Sequence, residues 1–213
     1  MKRILVVDDH VVVRQGLIQL LSIMLKPPAM TFDEASTGQE GIDKFNENEY
    51  CLVLLDITLP GRNGLDVLRQ MRQLKPKIPV LVLSMHPDEQ YAVRALRAGA
   101  SGYLTKASAS EELKGAIEKA LRGEKYVTSL QATLLADAIS EDHDVAGLHN
   151  LLSDREYQFA CMMTSGKTMT QIAQELNLSV KTISSYRSRV LEKLHIKTNA
   201  EIISYCITHG IVI

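Results

Sequence analysis

Short apolar runs alternate with longer amphipathic segments through the first half of the chain. The runs are rich in Val, Ile and Leu, and they predict five β-strands at 4–7, 31–35, 52–55, 80–83 and 102–104. Apolar positions with helical spacing predict five helices, at 11–25, 38–46, 64–74, 89–98 and 111–122. Five βα repeats are typical of a doubly wound parallel sheet, so the sequence predicts an α/β domain of (βα)5 type over residues 1–123.

The pattern changes after residue 123. Residues 124–149 read as a connector with one helix at 129–139 and a polar hinge at 140–144. Residues 150–213 contain short helical segments separated by tight turns, which predict an all-α domain of four helices. Side chains that can cap a helix precede the predicted starts, namely Ser108 with Glu111, Ser153 with Glu156, Thr168 with Gln171, Ser179, and Asn199.

Composition limits the possible partners. The 213 residues suit two domains, and 24 Lys plus Arg against 25 Asp plus Glu give a net charge of -1. Any basic surface for nucleic acid or membrane therefore has to be local. Cys51, Cys161 and Cys206 are far apart in the sequence and predict reduced thiols. The first apolar run is too short for a signal peptide and no run reaches membrane-spanning length, so we expect a soluble, cytoplasmic protein.

Acidic residues follow two of the predicted strands. Asp8 and Asp9 end the first strand, and Asp56 ends the third. Because the carboxyl ends of parallel strands share one rim of the sheet, three carboxylates are expected to lie close together there. Such a group repels itself unless a hard cation balances it, and Mg²⁺ prefers oxygen ligands together with phosphate and water. The sequence thus predicts a magnesium site; the alternative is that each Asp is an ordinary turn or cap residue.

Three further side chains are expected at the same rim. Lys106 follows the fifth strand and would disperse charge on a phosphoryl group. Ser84 closes the fourth strand, and its hydroxyl would donate to a phosphoryl oxygen, which opens space for the ring of Tyr103. The alternative is a strand end, a solvated lysine and a core tyrosine.

The candidate residues of the first domain lie in a set of motifs, namely Asp8-Asp9-His10, Asp56 followed by Leu59-Pro60 and Gly64, Ser84, and Gly102-Tyr103-Leu104-Thr105-Lys106. With these motifs the domain resembles the receiver domain of two-component response regulators. The resemblance implies that Asp56 is the phosphoacceptor and that Mg²⁺ is held by Asp8, Asp9, Asp56 and a backbone carbonyl near Thr58. It also implies that Lys106 contacts the phosphoryl group, that Ser84 and Tyr103 form the conformational switch, and that Thr58 and His86 tune the lifetime of the acyl phosphate.

Residues 168–194 read as helix, tight turn and helix. This arrangement places a second helix in the major groove of DNA. One face of that helix is apolar, and the remainder is basic and rich in hydroxyl groups. The candidate DNA-binding residues are Lys181, Thr182, Ser184, Ser185, Arg187, Ser188 and Arg189. The alternative is an ordinary amphipathic helix with a solvated charged face.

The last domain contains a series of characteristic motifs, namely Leu152-Ser153-Asp154-Arg155-Glu156, Gly166-Lys167, Gln171-Ile172-Ala173, Leu176, Ser179-Val180-Lys181-Thr182-Ile183, Arg187, and Leu191-Glu192-Lys193-Leu194. With these motifs the domain resembles the LuxR-type helix-turn-helix, and its pairing with a receiver is similar to the NarL/FixJ class. The resemblance implies DNA contacts from the exposed face of the second helix and dimer contacts near residues 200–209. Ser184 departs from the Lys that is common in the family, so the DNA preference of relatives does not transfer.

These inferences together predict a transcriptional response regulator. A partner histidine kinase phosphorylates Asp56 with Mg²⁺, and the shifted receiver promotes homodimerisation and DNA binding. We expect no enzyme activity beyond self-phosphorylation from a donor and self-dephosphorylation. Two alternatives stay open: a receiver controlled without phosphate, and an aspartate-nucleophile phosphotransferase, which Thr58 disfavours because such enzymes usually need an acid there.

Overall fold

The computed structural model describes residues 2–25, 30–85, 89–140 and 147–211. The chain divides into two compact units, with the division after Gln131. His86 and most of the predicted hinge, from residue 141 on, lie outside the described residues.

The first unit contains a five-stranded sheet with the order β2-β1-β3-β4-β5, in which all pairs are parallel. The strands are β1 Lys2–Val7, β2 Met30–Ala35, β3 Leu52–Asp56, β4 Val80–Ser84 and β5 Gly102–Thr105. The helices are α1 Val11–Met24, α2 Gly38–Glu47, α3 Gly64–Leu74, α4 Glu89–Arg97 and α5 Ala109–Leu121. The prediction of an α/β doubly wound sheet is confirmed.

The central strands are buried along their whole length. Every residue of β3 and β4 is buried, which explains why their sequences are unbroken apolar runs instead of alternating ones. Leu54 packs in one core cluster with Leu113 and Ile117 of α5, and each fully buried side chain of this size contributes about 2 kcal/mol of transfer free energy. This packing fixes the strand ends at which the acidic residues lie.

The chain returns to the sheet after α5. The Tyr126 amide donates to the Ser101 carbonyl oxygen at 2.7 Å, and Tyr126 forms a bridge beside Gly102. A Cβ at Gly102 would lie 2.9 Å from the Tyr126 Cβ, so this close approach requires glycine. The predicted connector helix is present as α6, Ser129–Ser140. The first unit runs past residue 123, and the domain boundaries given above stay predictions.

The described part of the second unit is helical. It contains a short 3-10 helix Leu148–Leu151 and the four predicted helices, α7 Asp154–Thr164, α8 Met169–Glu175, α9 Val180–Lys193 and α10 Asn199–Thr208. Ser153 with Glu156 and Thr168 with Gln171 form the predicted capping boxes. The Ser179 side chain accepts from the Thr182 amide, as predicted. These caps satisfy amides at the helix starts that have no partner within the helix.

Two capping predictions are wrong. Ser108 precedes α5 but has helical backbone angles and makes no side-chain cap; its hydroxyl donates to the Thr105 carbonyl oxygen at 3.3 Å. Thr198, not Asn199, caps α10, because its side chain accepts from the Glu201 amide. Asn199 is the first helical residue, and its side chain has a different partner, described below.

The three cysteines are free thiols. Cys161 and Cys206 are buried and Cys51 is half-buried, in agreement with the prediction of reduced cysteines. Among the helices of the described ranges, none combines the length and the apolar character needed to cross a membrane.

Candidate functional site

The predicted acidic rim is formed by the ends of two adjacent strands. β1 and β3 pair in parallel with Val7 opposite Leu55, so the residues that follow, Asp8 and Asp56, lie side by side. Both are only 1% exposed. The Thr58 amide donates to Asp56 Oδ1 at 3.0 Å, and this bond orients the carboxylate.

The loop after Asp56 is held close to the strand by a glycine. A Cβ at Gly64 would lie 2.5 Å from the Asp56 carbonyl oxygen, so any other residue would push α3 away from the site. The Gly64 amide donates to the Ile57 carbonyl oxygen, and the Asn63 side chain caps α3 by accepting from the Leu65 amide at 2.8 Å. Backbone and cap together fix the position of the loop that carries Thr58.

Lys106 joins the two buried carboxylates. Its Nζ lies 2.7 Å from Asp56 Oδ2 and 2.7 Å from Asp8 Oδ2, and its side chain is 6% exposed. Burial raises the pKa of Asp56 to about 6, against the opposing effect of the Lys106 charge. Burial opposes the charged form of Lys106, but the Asp56 and Asp8 carboxylates still raise the pKa of that ammonium. The site therefore contains one positively charged side chain, the Lys106 ammonium, among several carboxylates.

The acidic residues fit a divalent cation. Ligand atoms of Asp8, Asp9, His10 and Asp56 all lie within 4.8 Å of one another. Asp9 Oδ1 is a buried oxygen that accepts no hydrogen bond in the described part of the chain, and the ion-pair partner of Asp8 Oδ2 is the Lys106 ammonium at 2.7 Å. Carboxylate oxygens are the ligands that Mg²⁺ prefers. His10, which was not among the predicted metal ligands, places a ring nitrogen in this group.

Ser84 and Tyr103 lie on the same face of the sheet. β4 pairs with β5 so that Ser84 is opposite Thr105 and Tyr103 is opposite Val82. Because residues two apart in a strand share a face, Tyr103 lies diagonally across from Ser84. Both are buried. The backbone carbonyl of Tyr103 accepts from the side-chain amide of Gln131 at 3.4 Å. The structure therefore brings the two predicted switch residues together.

The predicted DNA-binding residues divide into two groups on α9. Lys181, Ser184, Ser185, Ser188 and Arg189 are exposed, whereas Thr182 and Arg187 are half-buried. Ile183, Val190 and Leu194 form the buried face. The turn before α9 is made by Asn177, whose positive φ of 52° is tolerated by asparagine. The exposed group is thus a continuous basic and hydroxyl-rich surface of one helix, the recognition face.

Two side chains anchor α9 to its neighbours, and the sequence did not reveal either contact. Arg187 Nε donates to Asn199 Oδ1 at 2.6 Å, so part of this guanidinium is held by α10. Lys193 Nζ lies 2.7 Å from Glu156 Oε2, a carboxylate on a residue that is 2% exposed. These contacts orient the recognition face relative to α7 and α10.

Comparison with known proteins agrees with both parts of this description. Residues 4–118 match the family model of the response regulator receiver domain. Residues 150–206 match the model of bacterial regulatory proteins of the luxR family. The chain belongs to the response regulators, in the NarL/FixJ class that joins a receiver to a LuxR-type DNA-binding domain. Members of this family are transcription regulators and not ordinary enzymes.

Individual relatives match between 65% and 99% of the chain. It is 32% identical over 211 residues to the response regulator UvrY of Escherichia coli K12, which spans 99% of this chain and 96% of UvrY. A LuxR-family response regulator structure from Aurantimonas sp. SI85-9A1 is 35% identical, covers 65% of this chain and 98% of that one, and has a TM-score of 0.57. The chain also shares its fold with RcsB from Salmonella enterica serovar Typhimurium, solved bound to promoter rprA in the presence of phosphomimetic BeF3-. The two are 20% identical, the match covers 96% of this chain and 98% of RcsB, and the TM-score is 0.63.

Proposed function

We propose that Asp56 accepts a phosphoryl group from a partner histidine kinase in a magnesium-dependent reaction, and that this controls DNA binding. The observation that carries the proposal is the contact of the Lys106 ammonium with Asp56 inside a buried acidic cluster. A lysine at this place neutralises charge on the transferred group, and it is held by carboxylates on two strands. Asp8, Asp9, Asp56 and a backbone carbonyl near Thr58 would hold Mg²⁺.

The proposed reaction transfers a phosphoryl group from the donor histidine to Asp56. An Asp56 oxygen attacks phosphorus, the new O–P bond forms, and the N–P bond to the donor histidine breaks. Mg²⁺ supplies charge neutralisation on the phosphoryl oxygens when it is bound. The Thr58 amide keeps Asp56 Oδ1 oriented, and Lys106 remains close to Oδ2 as negative charge accumulates.

The signal then passes through two buried side chains. The hydroxyl of Ser84 donates to the new phosphoryl oxygens, and the ring of Tyr103 repacks on the same face of the sheet. Phosphorylation therefore shifts the population between two receiver states. In the unphosphorylated receiver state, the side chain of Tyr103 is buried.

The output is DNA binding by the recognition face. Lys181 and Arg189 supply phosphate contacts, and the serines allow close approach to backbone and bases. We expect a homodimer with contacts near residues 200–209, because two half-sites multiply the affinity of one small helix. RcsB, a protein with the same fold, has been solved bound to promoter rprA in the presence of phosphomimetic BeF3-. We expect this regulator to act in the cytoplasm, where the DNA is.

The phosphoacceptor is tested by labelling with a small-molecule phosphodonor. We expect the wild type to gain one phosphoryl group, detected by intact mass, only when Mg²⁺ is present. Asp56→Asn should gain none, whereas Asp43→Asn, a change at an exposed aspartate of α2, should label normally. Labelling of Asp56→Asn would refute the assignment. A wild type that is never labelled would favour a receiver controlled without phosphate.

A further inference from the structure

We infer that His10 is an additional ligand of the divalent-cation site and that it gives this site a preference for borderline transition-metal ions that accept imidazole. The inference rests on the cation site of the proposed function and goes beyond it in ligand set and metal class. Its basis is the placement of an imidazole nitrogen within the acidic cluster.

The backbone brings His10 to the site. His10 is the residue before α1, a position where Ser, Thr, Asp and Asn usually cap the helix with a side-chain oxygen. The His10 side chain makes no such cap. Its amide donates instead to Asp8 Oδ1 at 2.8 Å, which directs the residue toward the carboxylates.

The ring is within reach of a shared ion. His10 Nδ1 lies 2.9 Å from Asp9 Oδ1 and 3.4 Å from Asp8 Oδ1. Two ligands of one ion lie roughly 3 Å apart at adjacent positions when each bond is about 2.1 Å. The observed separations match that spacing. Asp9 Oδ1 is buried and accepts no hydrogen bond within the described residues, so one carboxylate oxygen beside the ring is available to an ion, whereas Asp8 Oδ2 contacts Lys106 Nζ at 2.7 Å.

The donor set determines the class of metal. Three carboxylates alone form a hard oxygen site, which suits Mg²⁺. An imidazole nitrogen adds little for Mg²⁺ but favours Co²⁺, Ni²⁺ and Zn²⁺. The His10 side chain is 58% exposed, so it can turn onto an ion without disturbing the core. We therefore expect His10 to contribute to Co²⁺ affinity and not to Mg²⁺ affinity.

The test compares two metals and three chains. Calorimetric titration of the full chain with Co²⁺ and with Mg²⁺ is carried out for the wild type, His10→Gln and His195→Asn. Gln keeps a polar side chain at this position but has no imidazole. His195 is an exposed histidine of the second unit whose positive φ Asn tolerates, so His195→Asn controls for metal bound at surface histidines. Competition with excess Mg²⁺ identifies the Co²⁺ ion bound at the acidic cluster.

The inference predicts that His10→Gln weakens the Mg²⁺-competed Co²⁺ site by at least about tenfold, with Mg²⁺ affinity unchanged and His195→Asn equal to the wild type. Equal Co²⁺ affinity in His10→Gln and the wild type would overturn it and leave the magnesium site in place. If Mg²⁺ neither binds the wild type nor competes with Co²⁺, the cation site of the proposed function fails, and the inference fails with it.

Discussion

Lys106 Nζ contacts Asp56 Oδ2 at 2.7 Å, and the same ammonium lies equally close to Asp8. The lysine thus occupies the place where charge has to be balanced at the rim of the sheet. Its strand position explains this: the Lys106 amide donates to the Ser84 carbonyl oxygen at 2.7 Å, which ties the lysine to the end of β4. The Lys106 ammonium therefore repels a cation bound at this rim and attracts a phosphoryl group bound there.

We predict opposite effects of Lys106→Met on cation binding and on phosphorylation. Removal of the ammonium relieves its repulsion of Mg²⁺, so Mg²⁺ affinity should rise by about tenfold. Phosphorylation from a small donor should slow by about a hundredfold, because one cation that stabilises the transferred group is lost. Calorimetry and labelling rates measure the two effects. Lys114→Met, at an exposed position of α5, should change neither; a parallel loss of both properties would contradict the account.

Asp56→Asn should stabilise the chain near neutral pH. Burial raises the pKa of Asp56 from an ordinary value near 3.8 to about 6. The folded chain therefore favours the protonated carboxyl, so the stability that this group contributes is present below about pH 4 and is lost as the pH rises through about 6. The variant should gain up to about 3 kcal/mol in the free energy of unfolding. Urea unfolding with a chelator, at about pH 4 and about pH 7.5, measures this. A gain equal at both pH values, or also present in Asp43→Asn, would contradict the cause given.

Lys193→Met should loosen the second unit. It leaves the buried carboxylate of Glu156 without its cation, which costs about 1 to 3 kcal/mol. Hydrogen exchange of the α7 and α9 amides reports the loss. Addition of Glu156→Gln should recover part of it, since the buried charge is removed. Lys167→Met is the matched control, because its partner Glu175 is partly exposed and the pair contributes little. Equal effects of the two lysine changes would be inconsistent with this prediction.

Arg189→Ala should weaken DNA binding without changing the preferred sequence. As a phosphate contact on the recognition face, Arg189 should add about one unit to the slope of log affinity against log salt. Fluorescence anisotropy over a series of salt concentrations measures the slope. Lys114→Ala, in the first unit, should leave it unchanged. A change in sequence preference would indicate that Arg189 contacts bases instead.

The regular elements could be predicted because each depends on its own sequence. The buried runs of β3 and β4 and the capping boxes at Ser153 and Thr168 are local signals, and the structure contains all of them. The acidic rim could be predicted because Asp8, Asp9 and Asp56 follow predicted parallel strands, and parallel strands bring their carboxyl ends to one edge of the sheet. The family resemblance supplied the roles of these residues, and the structure supplied their distances.

The wrong capping predictions and the missed contacts arise where several side chains compete for the same hydrogen-bond or ion-pair partner. Asn199 is a good capping residue, but Thr198 caps α10 instead, and the Asn199 side chain accepts a hydrogen bond from Arg187. Ser108 bonds to Thr105 where a cap was expected. The pair of Lys193 and Glu156 joins residues 37 positions apart, and nothing in either local sequence indicates it. Such choices depend on tertiary packing, which a single sequence does not show.

The most direct test of the account links the two domains. Selection of bound duplexes from a random DNA pool is carried out with the full chain, with and without a small phosphodonor and Mg²⁺, for the wild type and Asp56→Ala. The account predicts enrichment of a two-fold-symmetric site that the donor strengthens in the wild type and leaves unchanged in Asp56→Ala. Equal enrichment in all conditions would contradict phosphate control through Asp56, and no enrichment in any condition would contradict the DNA-binding role of the second unit.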